Sequence, residues 1–270
     1  MSQGEGTPSV LTVCGATHLG KVRDGNEDAF VVCELERGQP ATPTRPTQLS
    51  AAAPGVLLMV CDGMGGAAAG EVAARVACET VCRLLHHRRG PEAAADLAAA
   101  IVGANAAIRD EAQRHVEKRG MGTTSTAALV REGRLLVAQV GDSRAYVSRA
   151  GVLHQLTRDQ SLAMAMIEAG QLSPAQLKSF PHANVILQAL GTQETVEPAL
   201  TELALEPQDT LLLCSDGLHG PVARSEIAAI LGAEADLAER AAALIRAALD
   251  AGATDNVTAL VAQWSGPRPQ

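Results

Sequence analysis

Five short apolar runs in this chain each stop at, or start beside, an aspartate. The run at 56–61 leads into Asp62-Gly63, the run at 135–140 into Gly141-Asp142, and the run at 211–214 into Ser215-Asp216-Gly217. Asp255 stands just before Asn256-Val257, and Asp28, with Glu27 beside it, opens the run around Val31. Apolar, β-branched runs bounded by turn residues read as strands. One aspartate at a strand end is an ordinary turn residue. Five change the weighing, because strand ends in a layered sheet converge on one edge, and clustered carboxylates repel unless a cation neutralises them. An all-oxygen set with no His or Cys suits a hard ion, Mg²⁺ or Mn²⁺. Glycine directly after Asp62 lets the backbone approach closely, so the Gly63 carbonyl joins the candidate ligands. Two such ions about 4 Å apart would generate a hydroxide and grip a phosphoryl group.

Between these points the pattern predicts strands at 9–14, 28–35 and 55–61, the last two separated by a Pro- and Thr-rich surface loop over 36–54. From 67 to 89 the apolar residues (Val72, Val76, Val81, Leu84, Leu85) recur at helical spacing, while Glu71, Arg75, Glu79 and Arg83 form a solvated row. Gly90 and Pro91 separate this helix from a second one running to about 118. Strands at 124–130, 134–140, 144–149 and 152–156, with tight turns at Glu132-Gly133 and Ala150-Gly151, predict an antiparallel meander. Shorter helices follow at 160–169 and after Ser173-Pro174, then strands at 195–205 and 209–214, a helix at 237–249 and a last strand at 256–264. Antiparallel strands with segregated helix pairs make an α+β layered domain. No repeat or linker divides it, so 10–265 is expected to be one domain, with flexible ends at 1–9 and 266–270.

Charge excludes some functions. Twenty-two basic against thirty acidic side chains leave a net charge of -8, the wrong sign for nucleic acid. One Trp, one Tyr and two Phe leave no platform for stacking bases and require an aliphatic core. Neither a signal-peptide pattern nor an apolar run of membrane-spanning length is present, so a soluble, cytoplasmic protein without membrane association is expected. The six cysteines lie apart on apolar segments and read as small buried hydrophobes; Cys78 and Cys82 share a helical face without further zinc ligands.

Taken in order, Arg23-x-x-Asn26-Glu27-Asp28, Asp62-Gly63-Met64-Gly65-Gly66, Gly122-Thr123-Thr124, Gly141-Asp142-Ser143-Arg144, Ser215-Asp216-Gly217-Leu218 and Asp255-Asn256-Val257-Thr258 resemble the successive motifs of the metal-dependent, protein phosphatase 2C-like phosphatases in their bacterial form. The resemblance runs from about Gly15 to Trp264. It implies a four-layer αββα sandwich, two packed antiparallel sheets flanked by helix pairs. It also implies a binuclear Mn²⁺ or Mg²⁺ centre held by Asp28, Asp62, Asp216 and Asp255 with the Gly63 carbonyl, Glu27 holding metal-bound water, and Arg23 clamping the phosphate. Asp142 resembles the residue that, with Asp216, holds a third, weaker ion; its alternative is a structural turn capped by Ser143 and Arg144. The implied activity is serine/threonine phosphoprotein hydrolysis by a metal-bridging hydroxide without a covalent intermediate. The implied partners are phosphorylated proteins and a serine/threonine kinase that shares them.

The chain departs from the family pattern in places. Met64 stands where many eukaryotic members have a histidine proposed as general acid, and Asp159-Gln160-Ser161 replaces Asp-His-Ser in the variable flap, 157–191. His219, three residues after Asp216, could reach the site, yet a lone loop histidine reads more often as a surface group. Cys61 is no nucleophile, since alternation points it away from Asp62 and no cysteine–arginine phosphate loop follows it. Gly63-x-Gly65-x-x-Ala68 formally fits a dinucleotide fingerprint, but the acidic residue expected on a second parallel strand is missing. A catalytically dead phosphoprotein-binding module would have lost a metal aspartate or Arg23; both are kept. A metal nuclease is opposed by the acidic balance.

Overall fold

The strand at Val56–Cys61, β5 in chain order, is buried along its whole length. Leu57, Met59 and Cys61 pack on one side, while Val56, Leu58 and Val60 pack on the other. A strand with two apolar faces needs a layer on each, and the architecture follows from supplying them. The computed structural model describes residues 9–65, 69–88, 90, 92–173, 175–176, 180–182 and 184–269.

The first half contains β1 (Val10–His18), β2 (Ala29–Glu34), β3 (Gln39–Ala41), β4 (Thr47–Ser50), β5, β6 (Gly63–Met64), α1 (Ala69–His86) and α2 (Ala93–Arg114). A 3₁₀ turn (Val116–Lys118) leads into β7 (Gly122–Thr123), β8 (Ser125–Arg131), β9 (Arg134–Val140), β10 (Arg144–Arg149) and β11 (Val152–Gln155). After them come α3 (Leu162–Glu168), β12 (Ala199–Ala204), β13 (Thr210–Cys214), α4 (Asp216–His219), α5 (Arg224–Leu231), α6 (Leu237–Asp250) and β14 (Val257–Trp264).

Among the described residues, one sheet has the order β12-β9-β8-β5-β2-β3 and the other β11-β10-β13-β14-β1-β4, all pairs antiparallel. Between them lies an apolar layer that includes Phe30, Leu58, Val137, Leu211, Leu260 and Trp264. Beneath the first sheet, α1 and α2 present Ala73, Ala77, Val81, Leu97 and Ile101 to Leu57, Met59 and Leu129. Over the second, α6 sets Leu237, Ala241, Leu244 and Ala248 against Leu212, Val257, Ala259 and Val261. Each fully buried aliphatic of this kind contributes about 1.5–3 kcal/mol. The expected αββα sandwich is what the chain builds.

Several expectations are corrected. The 36–54 segment is exposed, as expected of a surface loop, yet it carries β3 and β4, which extend one edge of each sheet. Proline and threonine hid them, because edge strands tolerate residues that central strands do not. The expected meander is split: β8 and β9 pair in one sheet, β10 and β11 in the other. The chain changes sheet at Gly141, whose φ of 102° is open only to a residue without a Cβ. Just past β14, Trp264 Nε1 donates to the Pro267 carbonyl at 3.3 Å. The expected flexible 1–8 and the flap positions Pro174, 177–179 and 183 lie outside the described residues. Among the described residues no helix is long and apolar enough to cross a membrane.

Candidate metal centre

Antiparallel register decides which loops meet. His18 pairs with Val257, Ala29 with Cys61, Ser125 with Val140, Arg144 with Cys214, and Cys214 with Ala259. The ends of β1, β5, β9 and β13 and the starts of β2, β8, β10 and β14 therefore share one edge. Asp28, Asp62, Asp142, Asp216 and Asp255 all sit on the connections at that edge, as does the 19–27 loop that bears Arg23 and Glu27. All the expected site residues come together.

Their electrostatics show how closely. Burial pushes the Asp62 carboxyl well above the ordinary carboxylate range, and Asp28, Asp216 and Asp142 push it further. Asp216 is itself raised, by burial and then by Asp255. Asp28 is lifted to about 7 by burial, against hydrogen bonds from Ser215 and Thr258, with Asp216 and Asp255 adding repulsion. Asp142 also rises to about 7, through burial and then Asp216 and Asp159. Glu27 is raised by burial, which outweighs the pull of Arg23. At the rim, Arg23 Nη2 lies 2.6 Å from Asp255 Oδ2, and more than half of its side chain is open to solvent.

Two buried oxygens, Asp28 Oδ1 and Asp216 Oδ1, have no hydrogen-bond partner. Orphaned buried carboxylate oxygens are costly, and a bound divalent cation would give such oxygens a partner. Among the described residues no three His, Cys, Asp or Glu side chains are gathered closely enough to hold an ion by themselves. A hard cation does not need all its ligands from side chains, since Mg²⁺ in particular keeps several waters. The donor chemistry, all oxygen and mutually repelling, fits Mn²⁺ or Mg²⁺.

A scaffold of neutral groups holds the edge in shape, and sequence reasoning left it out of the site. Asn256 Oδ1 accepts from the Glu27 N–H at 2.8 Å, while its Nδ2 donates to the carbonyls of Leu19 and Gly25 at 3.0 and 2.8 Å. Asn26 donates to Thr17 and accepts from the Asp28 N–H. Thr124 Oγ1 accepts from the Asp62 N–H at 2.9 Å and meets Ser143 Oγ at 2.8 Å, tying the Asp62 turn to the Asp142 turn. Gly70 in α1 leaves room at the site: a Cβ there would lie 2.1 Å from Glu27 Oε2, displacing that side chain, and 2.8 Å from the Gly63 carbonyl carbon. Asn256 and Thr124 stood inside recognisable motifs; nothing in the sequence marks Gly70.

The profile of a known family, described as Protein phosphatase 2C, matches residues 47–261 of this chain. The chain belongs to the protein phosphatase 2C family. The match omits Arg23, Glu27 and Asp28, which the fold itself brings to the same edge. The serine/threonine protein phosphatase PstP of Mycobacterium tuberculosis is 40% identical over 206 residues, 76% of this chain and 40% of that protein. This chain thus spans about two fifths of that relative. The serine/threonine phosphatase stp of Listeria monocytogenes is 33% identical over 251 residues, covering 92% of this chain and 93% of the relative. A crystal structure of the catalytic domain of PstP in complex with two manganese ions superposes with a TM-score of 0.79 at 35% identity, over 95% of this chain and 99% of that one.

In this phosphatase 2C chain the departures from the family pattern have structural answers. Met64 lies in the β6–β7 ribbon, paired with Gly122, so the formal dinucleotide fingerprint opens on a strand, and its positions 66–68 lie outside the described residues. Asp159 makes a two-pronged ion pair with Arg144 at 2.8 and 2.6 Å, and Gln160 Oε1 accepts from the Gly141 N–H at 2.8 Å. The flap's first residues thus brace the Asp142 turn. His219 is not the expected surface group: its Nε2 donates to the Asp142 carbonyl at 3.0 Å, and burial lowers its pKa to about 4. Cys61 faces α1, its Sγ 3.7 Å from that of Cys78, and all six cysteines are free and buried.

Proposed function

We propose that this chain is a metal-dependent phosphatase acting on phosphoserine and phosphothreonine in proteins, with Mn²⁺ or Mg²⁺ at Asp28, Asp62, Asp216, Asp255 and the Gly63 carbonyl. The observation that carries the reading is the pair of orphaned buried oxygens, Asp28 Oδ1 and Asp216 Oδ1, inside a repelling aspartate cluster capped by an exposed arginine. When bound, the ions supply a nucleophile at neutral pH and polarise the phosphoryl oxygens. Arg23 receives the phosphate: its guanidinium presents several donors in a fixed plane, and with only one ion pair to Asp255 the rest are free to take two phosphate oxygens. Glu27, held by Asn256 through its N–H, accepts hydrogen bonds from water at the edge. No protein nucleophile is needed, since Cys61 points into the helix layer. His219, neutral and committed to the Asp142 carbonyl, does not supply the leaving group's proton.

A third, weaker ion at Asp142 and Asp216 is supported by the mutual repulsion of those two carboxylates. The substrates are phosphorylated proteins, and a serine/threonine kinase with the same targets is the natural counterpart. Hydrolysis of a phosphothreonine peptide with Mn²⁺, with excess EDTA, and with Mn²⁺ restored tests the reading. Activity is expected to disappear in chelator and return with metal, while thiol alkylation leaves it intact; full activity in EDTA overturns the proposal.

A further inference from the structure

Between the end of α2, the turn before β7 and the end of the flap lies an open cavity of about 240 Å³. Its lining is Arg109, Ala112, Gln113, Arg119, Gly120 and Gly191. Two guanidiniums in one cavity are conspicuous on a chain of net charge -8. No carboxylate lines it, and the acidic side chains of the 110–117 stretch are already paired. Asp110 pairs with Arg114, Glu111 with Lys118 at 2.5 Å, and Glu117 with His115. Arg109 makes one contact, from Nη1 to the Glu194 carbonyl at 3.2 Å, and Arg119 is exposed; among the described residues neither makes an ion pair.

We infer that this cavity is a second anion site, separate from the catalytic edge, that takes a single phosphate group. Size argues for a small ligand, since the volume falls below the roughly 300 Å³ at which pockets for drug-sized molecules begin. Charge argues for a phosphate: two planar guanidiniums and the Gln113 amide offer donors in the arrangement that phosphate oxygens accept best. Gly120, at a φ of 81°, has open space where a Cβ would project, so nothing crowds its surroundings. The negative end of α2 opposes an anion, but a fractional charge of about -0.5 is outweighed by two full positive ones.

The site sits where it can be felt at the catalytic edge. Gly120 leads through Met121 into β7, which pairs Thr123 with Gly63, the candidate carbonyl ligand. Gly191 closes the flap, its N–H held by Asn105 at 2.7 Å, and Leu190 bridges to Thr123. A phosphate gripped by Arg109 and Arg119 therefore ties α2 to the turn that leads into β7, beside Gly191 at the end of the flap. Two sources share this chemistry: free inorganic phosphate, the product of the proposed reaction, and a second phosphorylated residue of a multiply phosphorylated substrate.

The test is a titration of the Mg²⁺-loaded protein with inorganic phosphate, followed through the amide resonances of Gly120 and Gly191. Saturable shifts are expected. They should persist in Arg23→Ala and weaken by about tenfold or more in Arg109→Gln/Arg119→Gln, as loss of charge-assisted donors requires. Shifts that never saturate, or that are the same in the double variant, overturn the site. Arg119→Gln alone, at an exposed position, keeps the experiment decisive if the double variant folds poorly. Peptides with one and with two phosphothreonines separate the sources. A rise in KM confined to the doubly phosphorylated peptide in the double variant assigns the site to substrate; equal KM values with phosphate saturation intact in the wild type assign it to free phosphate. Because the resonances report binding and not turnover, the site can fail while the phosphatase reading stands, and the reverse.

Discussion

Replacing Asn256 by alanine removes the side chain that makes three hydrogen bonds from the start of β14 to the loop before β2. The residue is 5% exposed and makes three hydrogen bonds, to the Glu27 N–H and the Leu19 and Gly25 carbonyls. At about 1 kcal/mol net for each, Asn256→Ala should cost about 3 kcal/mol. In a domain of this size that corresponds to a drop in Tm of roughly 5–10 °C. Function should suffer along with stability, because Glu27 and Arg23 are positioned by the same loop: kcat/KM for a phosphothreonine peptide should fall by about tenfold or more, from misplacement alone. Asn256→Asp keeps the acceptor for Glu27 but loses both donors and sets a negative charge beside Asp255, so without metal it should be less stable than the alanine variant. Urea denaturation with and without Mn²⁺, run beside steady-state kinetics, measures both effects. A loss below about 0.5 kcal/mol with unchanged kcat/KM would refute the idea that Asn256 holds the loop.

Arg23→Ala should leave Mn²⁺ affinity near wild type and lower kcat/KM by roughly ten- to a hundredfold, with Lys restoring only part, because a point charge cannot reproduce the guanidinium fork; calorimetry beside kinetics separates phosphate binding from metal binding. Stability of the metal-free protein should depend on pH in an unusual sense. Asp28 and Asp142 are held at about 7 in the folded state, above their unfolded value near 3.8, so their stabilising contribution is complete below about pH 3.8 and is lost as pH rises through 7. Chelated protein should accordingly melt higher at pH 5 than at pH 7.5, and Mn²⁺ should reverse the order; a metal-free Tm that climbs over this range would contradict the carboxylate cluster. Gly70→Ala forces a Cβ to within 2.1 Å of Glu27 Oε2, so a loss of about 1–3 kcal/mol and weaker metal binding are expected from thermal melts and Mn²⁺ titration.

The sequence by itself determined the layers and the chemistry. The unbroken apolar run at 56–61, helical spacing across 72–85 and turn residues beside each run required strands and helices whose apolar faces have to be covered, and aspartates at five strand ends pointed to a cation. These signals are local: period, propensity and residue type act within a few positions and survive in a single chain read alone. Tertiary structure decided the rest. The edge strands β3 and β4 carry little apolar pattern, since their stability comes from pairing with β2 and β1 rather than from burial. The change of sheet at Gly141 is invisible in a pattern that reads as a continuous meander. Only the fold shows that Gly70 makes room for Glu27, that Asn256 reaches back across 229 positions to its N–H, and that His219 turns inward to the Asp142 carbonyl. Such contacts join residues far apart in the chain, and a hydrogen bond or a missing methyl group leaves no periodic trace in sequence, because the partner that gives it meaning is brought there by the packing of two sheets.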